Sequence, residues 1–221
     1  MSSGFKIGFL VYPFCTQLDF AGPAQVFAAA GATQTHLVWH DRRPVMTDAN
    51  FDILPTHTFD DCPPLDLICV PGGPGQALLM RDPQALDWLR QQGRHAAWVT
   101  SVCSGSLVLG AAGLLRGFRA ACHWNYRELL QNFGATADDS RVVVDRNRIT
   151  GAGVTAGIDF ALEVVARVWG EREAREVQLL LEYAPQPPFA AGRPEDAGPQ
   201  ITACVRQRLA NAREAAEAAL S

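Results

Sequence analysis

Cys103 is the residue whose type and setting most directly suggest chemistry. It stands in "TSVCSGSLVLGAAG", between an apolar run typical of a buried strand and small residues typical of a helix. The order predicts a strand–nucleophile–helix elbow, because Ser104 and Gly105 let the backbone turn sharply without side-chain clashes. Free N–H groups at the start of a helix favour an anion, so we expect the thiol pKa to be lowered.

Two further strand ends carry residues that suit a reactive thiol. Asp19 follows the apolar run "KIGFLVY", and Gly72-Gly73 follows "LICV". A carboxyl can transfer protons, and the amides of Ser104 and Gly73, with Gly72 beside them, are candidate donors to a developing negative charge. Plainer interpretations stay open at this point: Cys103 as a packing thiol, Asp19 as a helix cap, and the glycines as a turn.

These residues need elements that bring them to one place. Strands are predicted at 6–12, 35–40, 51–59, 65–73, 95–103 and 119–124, and a hairpin at 141–150 that turns near Arg146-Asn147. Helices are predicted at 18–31, 82–93, 104–113, 125–134, 154–170, 171–183 and 200–219. The alternation predicts an α/β fold with a mostly parallel sheet covered by helices on both faces. Ligands of such sheets bind where strands end and helices begin.

Local residue types also predict where individual helices start and stop. Asp82 is expected to cap the helix that follows it, and Gly93 to end that helix. Pro23 is expected near the first turn of its helix, and Gly31 just past the end. The Pro/Gly-rich stretch 185–199 is expected to cross the surface to the final helix, and we expect 1–221 to form one domain with 185–219 as a C-terminal extension.

Composition limits the classes of partner. The formal net charge of −4 and the lack of a basic cluster give no reason to expect nucleic acid. No apolar run reaches the roughly 18–20 residues of a membrane span. Six scattered cysteines, without metal-ligand spacing, predict reduced thiols in a cytoplasmic protein that holds no metal.

Four motifs together resemble the ThiJ/PfpI superfamily. They are "LDFAGPAQVF", "VPGGPG", "CSGSLVLGAAGLLRGFRAACHW" and "GAGVTAGIDFALEVVA", and the resemblance runs from Lys6 to about Phe189. It implies a flavodoxin-like three-layer sandwich and a homodimer. "LDFAGP" with "CSG" and "HW" is most similar to the isonitrile hydratase branch, and also to the sensor domains of AraC-type regulators. Many hydratases have Thr after the nucleophile, whereas this chain has Ser104.

The resemblance implies an isonitrile hydratase that needs no cofactor. Cys103 would attack the terminal carbon of the small-molecule substrate, Asp19 would act as general acid and then base, and an N-substituted formamide would leave. Burial and the neighbouring thiolate are expected to raise the pKa of Asp19. Lower-ranked candidates for the surroundings of the site are His123, Trp124, Phe20 and Val154.

Three alternatives remain open from the sequence. One is a glyoxalase-type hydratase of the same superfamily, whose substrate would be small and polar. Another is a redox-sensing or chaperone-like protein in which Cys103 is reversibly oxidised. The last is a stand-alone ligand-binding regulator domain, whose affinity for ligand would not depend on the thiol.

Overall fold

A computed structural model describes residues 4–31 and 33–220. The strands, in chain order, are β1 Phe5–Leu10, β2 Thr33–Trp39, β3 Val45–Met46, β4 Asp52–Ile53, β5 His57–Thr58, β6 Leu67–Val70, β7 Trp98–Val102, β8 Arg119–Ala120, β9 Thr136–Ala137, β10 Val142–Asp145 and β11 Arg148–Gly151. The helices are α1 Gln17–Ala29, α2 Gln76–Leu79, α3 Pro83–His95, α4 Gly105–Ala111, a 3-10 helix Arg127–Phe133, α5 Ala156–Trp169, α6 Glu171–Leu180 and α7 Pro194–Ala218.

The main sheet has seven strands in the order β10-β11-β7-β6-β1-β2-β5. All neighbouring pairs are parallel except β10 and β11, which form the predicted hairpin. Every residue of β6 is buried, and so is β7 apart from its first residue, as expected for strands covered on both faces. The predicted flavodoxin-like α/β class is therefore confirmed.

The helices pack as two groups beside the sheet. In one group α1 contacts α5, and α5 contacts α6. In the other, α3 contacts α4, and α4 contacts the 3-10 helix. Aromatic side chains fill the core under the first group, where the rings of Phe9 and Phe27 lie 6.3 Å apart and Phe27 meets Phe160 edge-on. The carboxyl ends of the adjacent strands β1, β6 and β7 consequently meet at one edge, between the two groups.

Several predicted helix ends are wrong, for local reasons. Asp82 caps α3 as expected by accepting a hydrogen bond from Ala85 N at 3.0 Å, but the helix continues past Gly93 to His95. Gly93 lies against Leu114, so close packing explains the glycine better than a helix stop does. Pro23 lies in the second turn of α1 rather than the first.

The C-terminal half departs from its predictions in two places. Within the predicted helix 125–134, Arg127–Phe133 forms a 3-10 helix capped by Gly134, whose φ is 72°. The last helix begins at Pro194, before the predicted residue 200, and is broken at Gly198, where φ is 79°. A proline is well suited to the first turn of a helix, which accounts for the earlier start.

α7 is attached to the body of the protein by both apolar and charged contacts. Ala216 is fully buried, and Arg213 donates to the carbonyl of Asn125 and to Glu128. Residues 192–195, at the start of α7, line a cavity together with residues of 122–127 and 152–155. No helix among the described residues is both long and apolar enough to cross a bilayer.

The tight contact at Gly105 yields a stability prediction. A Cβ on Gly105 would lie 2.0 Å from the carbonyl oxygen of Val70, which is backbone and cannot rotate away. We expect Gly105→Ala to lower the free energy of unfolding by about 1–3 kcal/mol or more, the usual cost of overpacking. Chemical denaturation monitored by circular dichroism measures this change. Gly192→Ala is the matched control, because nothing lies within 4 Å of its Cβ position; equal midpoints for the two variants would contradict the prediction.

Candidate active site

Cys103 occupies the predicted elbow between β7 and α4. Its φ is 59°, in the left-handed region that costs energy for a residue with a side chain. The Cys103 amide donates to Gly151 O at 3.0 Å, so the strained residue is still tied to the neighbouring strand β11. With only 6% of its surface exposed, Cys103 is a buried thiol at the tip of a strained turn.

A series of hydrogen bonds between buried hydroxyl and backbone groups stabilises the elbow. Ser101 and Ser106 share a hydrogen bond of 2.8 Å between their hydroxyls, and Ser106 donates to Ala121 O at 2.6 Å. The amide of Ala121 in turn donates to Thr150 Oγ1 at 2.8 Å. These bonds link β7, α4 and β11 around the nucleophile, so the small serines hold the turn together as well as allow it.

Asp19 lies in the first turn of α1 with its side chain completely buried. Gly72 N donates to Asp19 Oδ2 at 2.8 Å. The other oxygen, Oδ1, is buried and has no hydrogen-bond partner of normal geometry among the described residues. The Cys103 side chain is close enough to lower the pKa of this carboxyl, which places thiol and acid in direct reach of each other.

The two amides of the glycine loop donate hydrogen bonds within the protein. The Gly72 amide holds Asp19, and the Gly73 amide donates to Ser104 Oγ at 3.2 Å. The N–H groups of Gly72 and Gly73 thus already have partners, and a role of either as donor to a substrate stays a prediction. The amide and the hydroxyl of Ser104 are both close enough to the Cys103 sulfur to lower the thiol pKa, against the larger effect of burial.

Both glycines are needed for close backbone approach. A Cβ at Gly72 would lie 2.6 Å from Ser104 N and 2.9 Å from the Cys103 Cβ. Gly73 has a φ of 136°, and a Cβ there would lie 2.4 Å from the carbonyl oxygen of Phe14. The loop is thus pressed between the elbow and the start of α1.

The pKa values of the two central groups are both raised. Burial raises the pKa of Asp19 to about 7, although the hydrogen bond from Gly72 opposes the shift. Burial, followed by the charge of Asp19, raises the pKa of Cys103 well above its ordinary value. The expected lowering of the thiol pKa is wrong, because the loss of water around the sulfur outweighs the bonds from Ser104. The predicted rise for Asp19 agrees with the structure.

His123 lies beside the elbow as a neutral side chain. Its amide approaches Cys103 O at 3.4 Å, and its Nδ1 accepts from Asn125 N at 3.3 Å. Burial lowers the pKa of His123 to about 4. The ring packs beside those of Trp124 and Tyr126, with centroids 5.5 and 5.8 Å away.

A cavity of about 470 Å³ opens next to His123. Its walls come from the 122–127 segment, from 152–155 before α5, from Asp139 and Arg141, and from 192–195 at the start of α7. Trp124 and Val154 line it, as does the His123 ring. Phe20 does not: it is buried against Phe9 with ring centroids 6.3 Å apart, so its proposed place in the pocket is wrong.

Sequence reasoning missed two residues of this region. Cys122 lines the cavity and is close enough to Cys103 for its charge to raise the pKa of the nucleophile. Arg127 lines the same cavity from the first residue of the 3-10 helix. Neither has a pattern that marks it, although both follow closely on the "HW" motif. Among the described residues, no cluster of three or more His, Cys, Asp or Glu is arranged to hold a metal ion.

The raised pKa of Asp19 predicts a pH-dependent stability. The folded protein binds this proton more tightly than the unfolded chain, so the free energy of unfolding should fall as pH rises from the ordinary carboxyl range through about 7. In the wild type the free energy of unfolding should fall by an amount on the order of 4 kcal/mol. Asp19→Asn has no carboxyl to ionise, so this variant should not show the fall. Urea titrations across this pH range measure it. Asp60→Asn, at an exposed position, should follow the wild type; parallel curves for wild type and Asp19→Asn would refute the assignment.

The sequence of the chain is similar to a family model and to two proteins of known name. The family model described as the DJ-1/PfpI family matches residues 5–167. The chain is 52% identical over 205 residues to isonitrile hydratase of Pseudomonas putida, covering 93% of this chain and 90% of that protein. It is 30% identical to the HTH-type transcriptional regulator GbdR of Pseudomonas aeruginosa over 80% of this chain, but only 50% of the regulator is covered.

A solved structure agrees over almost the whole length. The crystal structure of a ThiJ/PfpI family protein from Pseudomonas syringae superimposes with a TM-score of 0.96 at 41% identity, covering 99% of this chain and 91% of that one. This agreement includes α6 and α7, which lie beyond the family model. The elbow, the sheet order and these comparisons together show that the chain belongs to the DJ-1/PfpI family.

Proposed function

We propose that the protein is a cofactor-independent isonitrile hydratase that converts an isonitrile and water to an N-substituted formamide. One observation carries the proposal: a buried carboxyl, Asp19, is held by Gly72 with its unbonded oxygen available to the Cys103 thiol. The 52% identity to the Pseudomonas putida hydratase supports the choice of substrate class. The proposal includes a single domain over residues 1–221, a homodimer and a cytoplasmic location, as the resemblance implies.

The first half of the reaction adds sulfur and a proton to one carbon. Asp19 and Cys103 share a proton, and the reactive form carries it on the carboxyl and the negative charge on sulfur. The thiolate attacks the terminal carbon of the isonitrile and forms a C–S bond. The Asp19 proton passes to the same carbon, which leaves a thioimidate and an ionised carboxylate.

The second half adds water and releases the thiol. The Asp19 carboxylate takes one proton from water as the oxygen attacks the thioimidate carbon. The other water proton ends on nitrogen. Cleavage of the C–S bond then gives the N-substituted formamide and returns the thiolate with a protonated Asp19. The Ser104 amide, which lowers the pKa of the Cys103 thiol, stabilises the thiolate at the start and the end of the cycle.

The raised pKa values fit this proton cycle. A carboxyl with a pKa of about 7 can donate and accept a proton near neutral pH with little free-energy cost. Burial raises the pKa of Cys103, so the thiol stays protonated until Asp19 takes its proton. The resulting thiolate is a strong nucleophile. A neutral His123 takes no part in these transfers.

Formamide production from cyclohexyl isocyanide tests the proposal. We expect turnover by the wild type, no detectable turnover by Cys103→Ala, and a loss of about 10²–10⁴-fold in Asp19→Asn, the range that general acid–base catalysis contributes. Cys204→Ala is the control, because this free thiol is exposed on α7 and distant in sequence from the elbow. Nuclear magnetic resonance of the formyl proton measures the product.

Alkylation of Cys103 separates a wrong substrate from an inactive preparation. In the wild type the rate of modification by iodoacetamide should rise as pH passes through about 7, because one proton then leaves the Asp19–Cys103 pair. In Asp19→Asn the rise should move to higher pH. A wild type that is alkylated in this way and hydrates no isonitrile would exclude the proposed activity, and methylglyoxal and peroxide would then be the substrates to test.

A further inference from the structure

A cavity of about 470 Å³ lies beside the elbow and is large enough for a substituent on the isonitrile nitrogen, although its lining residues do not include Cys103 or Asp19. Cys122 and His123 line it, and the His123 amide, which donates to Cys103 O at 3.4 Å, ties this wall to the elbow. Trp124 and Val154 give it two apolar surfaces. Five of its other lining residues are charged, which is unexpected for a site that accepts only hydrocarbon groups.

Most charges around the cavity already have partners or face solvent. Arg141 binds Asp159 with two bonds of 2.9 and 2.7 Å and also contacts Thr155. Arg193 approaches Glu195 at 4.0 Å, and both are exposed at the rim. Asp139 is also exposed, so water solvates its charge.

Arg127 is the exception among these residues. It is half-buried, and no hydrogen bond or ion pair joins its guanidinium to another described residue. The backbone fixes its position, because the Arg127 amide donates to His123 O at 3.0 Å. The charge is close enough to Cys122 to lower the pKa of that thiol. A guanidinium in a cavity wall without a protein counterion is available to bind an anion from the ligand.

We propose that the substrates this site selects are isonitriles whose nitrogen substituent carries a carboxylate, and that Arg127 binds that carboxylate. The inference rests on the proposed function and adds the substrate class to it. The planar guanidinium matches a carboxylate with two parallel hydrogen bonds, while Trp124 and Val154 contact the intervening carbon chain. Asp139 and Glu195 at the rim disfavour groups with more than one negative charge.

Pairs of substrates that differ only in charge test this inference. We would measure kcat and KM for ω-isocyanocarboxylates of increasing chain length and for their methyl esters, together with cyclohexyl isocyanide. At the chain length that reaches Arg127, the carboxylate should exceed its ester in kcat/KM by at least about tenfold, mostly through KM. Arg127→Met should abolish this advantage, so that the acid and the ester of that length have kcat/KM values within about twofold of each other. Arg127→Lys should restore part of it.

The control is a second arginine of the same cavity. Arg193→Met removes a charge at the exposed rim and should keep the preference for the carboxylate. A wild type that hydrates acids and esters equally, or prefers the esters at every length, overturns the inference while leaving the hydratase activity intact. An Arg127→Met variant that retains the preference overturns it as well. Failure of the wild type on every isonitrile, including the cyclohexyl compound, instead overturns the proposed function and this inference with it.

Discussion

The hydrogen bond between Gly72 N and Asp19 Oδ2 is the contact on which the arrangement of the site depends. A buried carboxyl is expensive, and a single backbone donor at 2.8 Å fixes its orientation without neutralising it. The bond leaves Oδ1 unengaged beside Cys103. The same glycine accepts a hydrogen bond from Thr16 N at 2.8 Å, at the residue that precedes α1. One residue, Gly72, thus anchors both the acid and the helix that carries it.

The electrostatics follow from excluding water around this contact. Among the described residues no cation shifts the pKa of Asp19 or Cys103, so burial disfavours charge on either group. Two groups this close titrate as a pair. Proton transfer within the pair then changes little in the surroundings. A helix terminus alone lowers a thiol pKa, whereas burial together with the charge of Asp19 raises that of Cys103.

Local patterns were sufficient to predict much of the site. Three apolar runs mark three strand ends, at Cys103, at Gly72 and before Asp19. Parallel pairing brings such ends to one edge of the sheet. What the pattern could not provide is the state of water around the sulfur, which depends on residues distant in sequence. For that reason the direction of the thiol pKa was predicted wrongly. The hydrogen-bond partner of the Gly73 amide could not be predicted either, because the position of Ser104 Oγ is fixed only by the folded loop.

The glycine pair also fixes a distance within the active site. Gly72 and Gly73 are consecutive, and their Cα atoms are held about 3.8 Å apart by the covalent geometry of a trans peptide. One N–H fixes the acid on α1, and the next fixes the hydroxyl that neighbours the nucleophile on α4. The distance between the acid and the nucleophile therefore depends on bond lengths, bond angles and these two hydrogen bonds more than on how α1 and α4 pack. Gly105 and Ser106 of α4 share in this constraint, because they contact the strand end before the loop and the elbow.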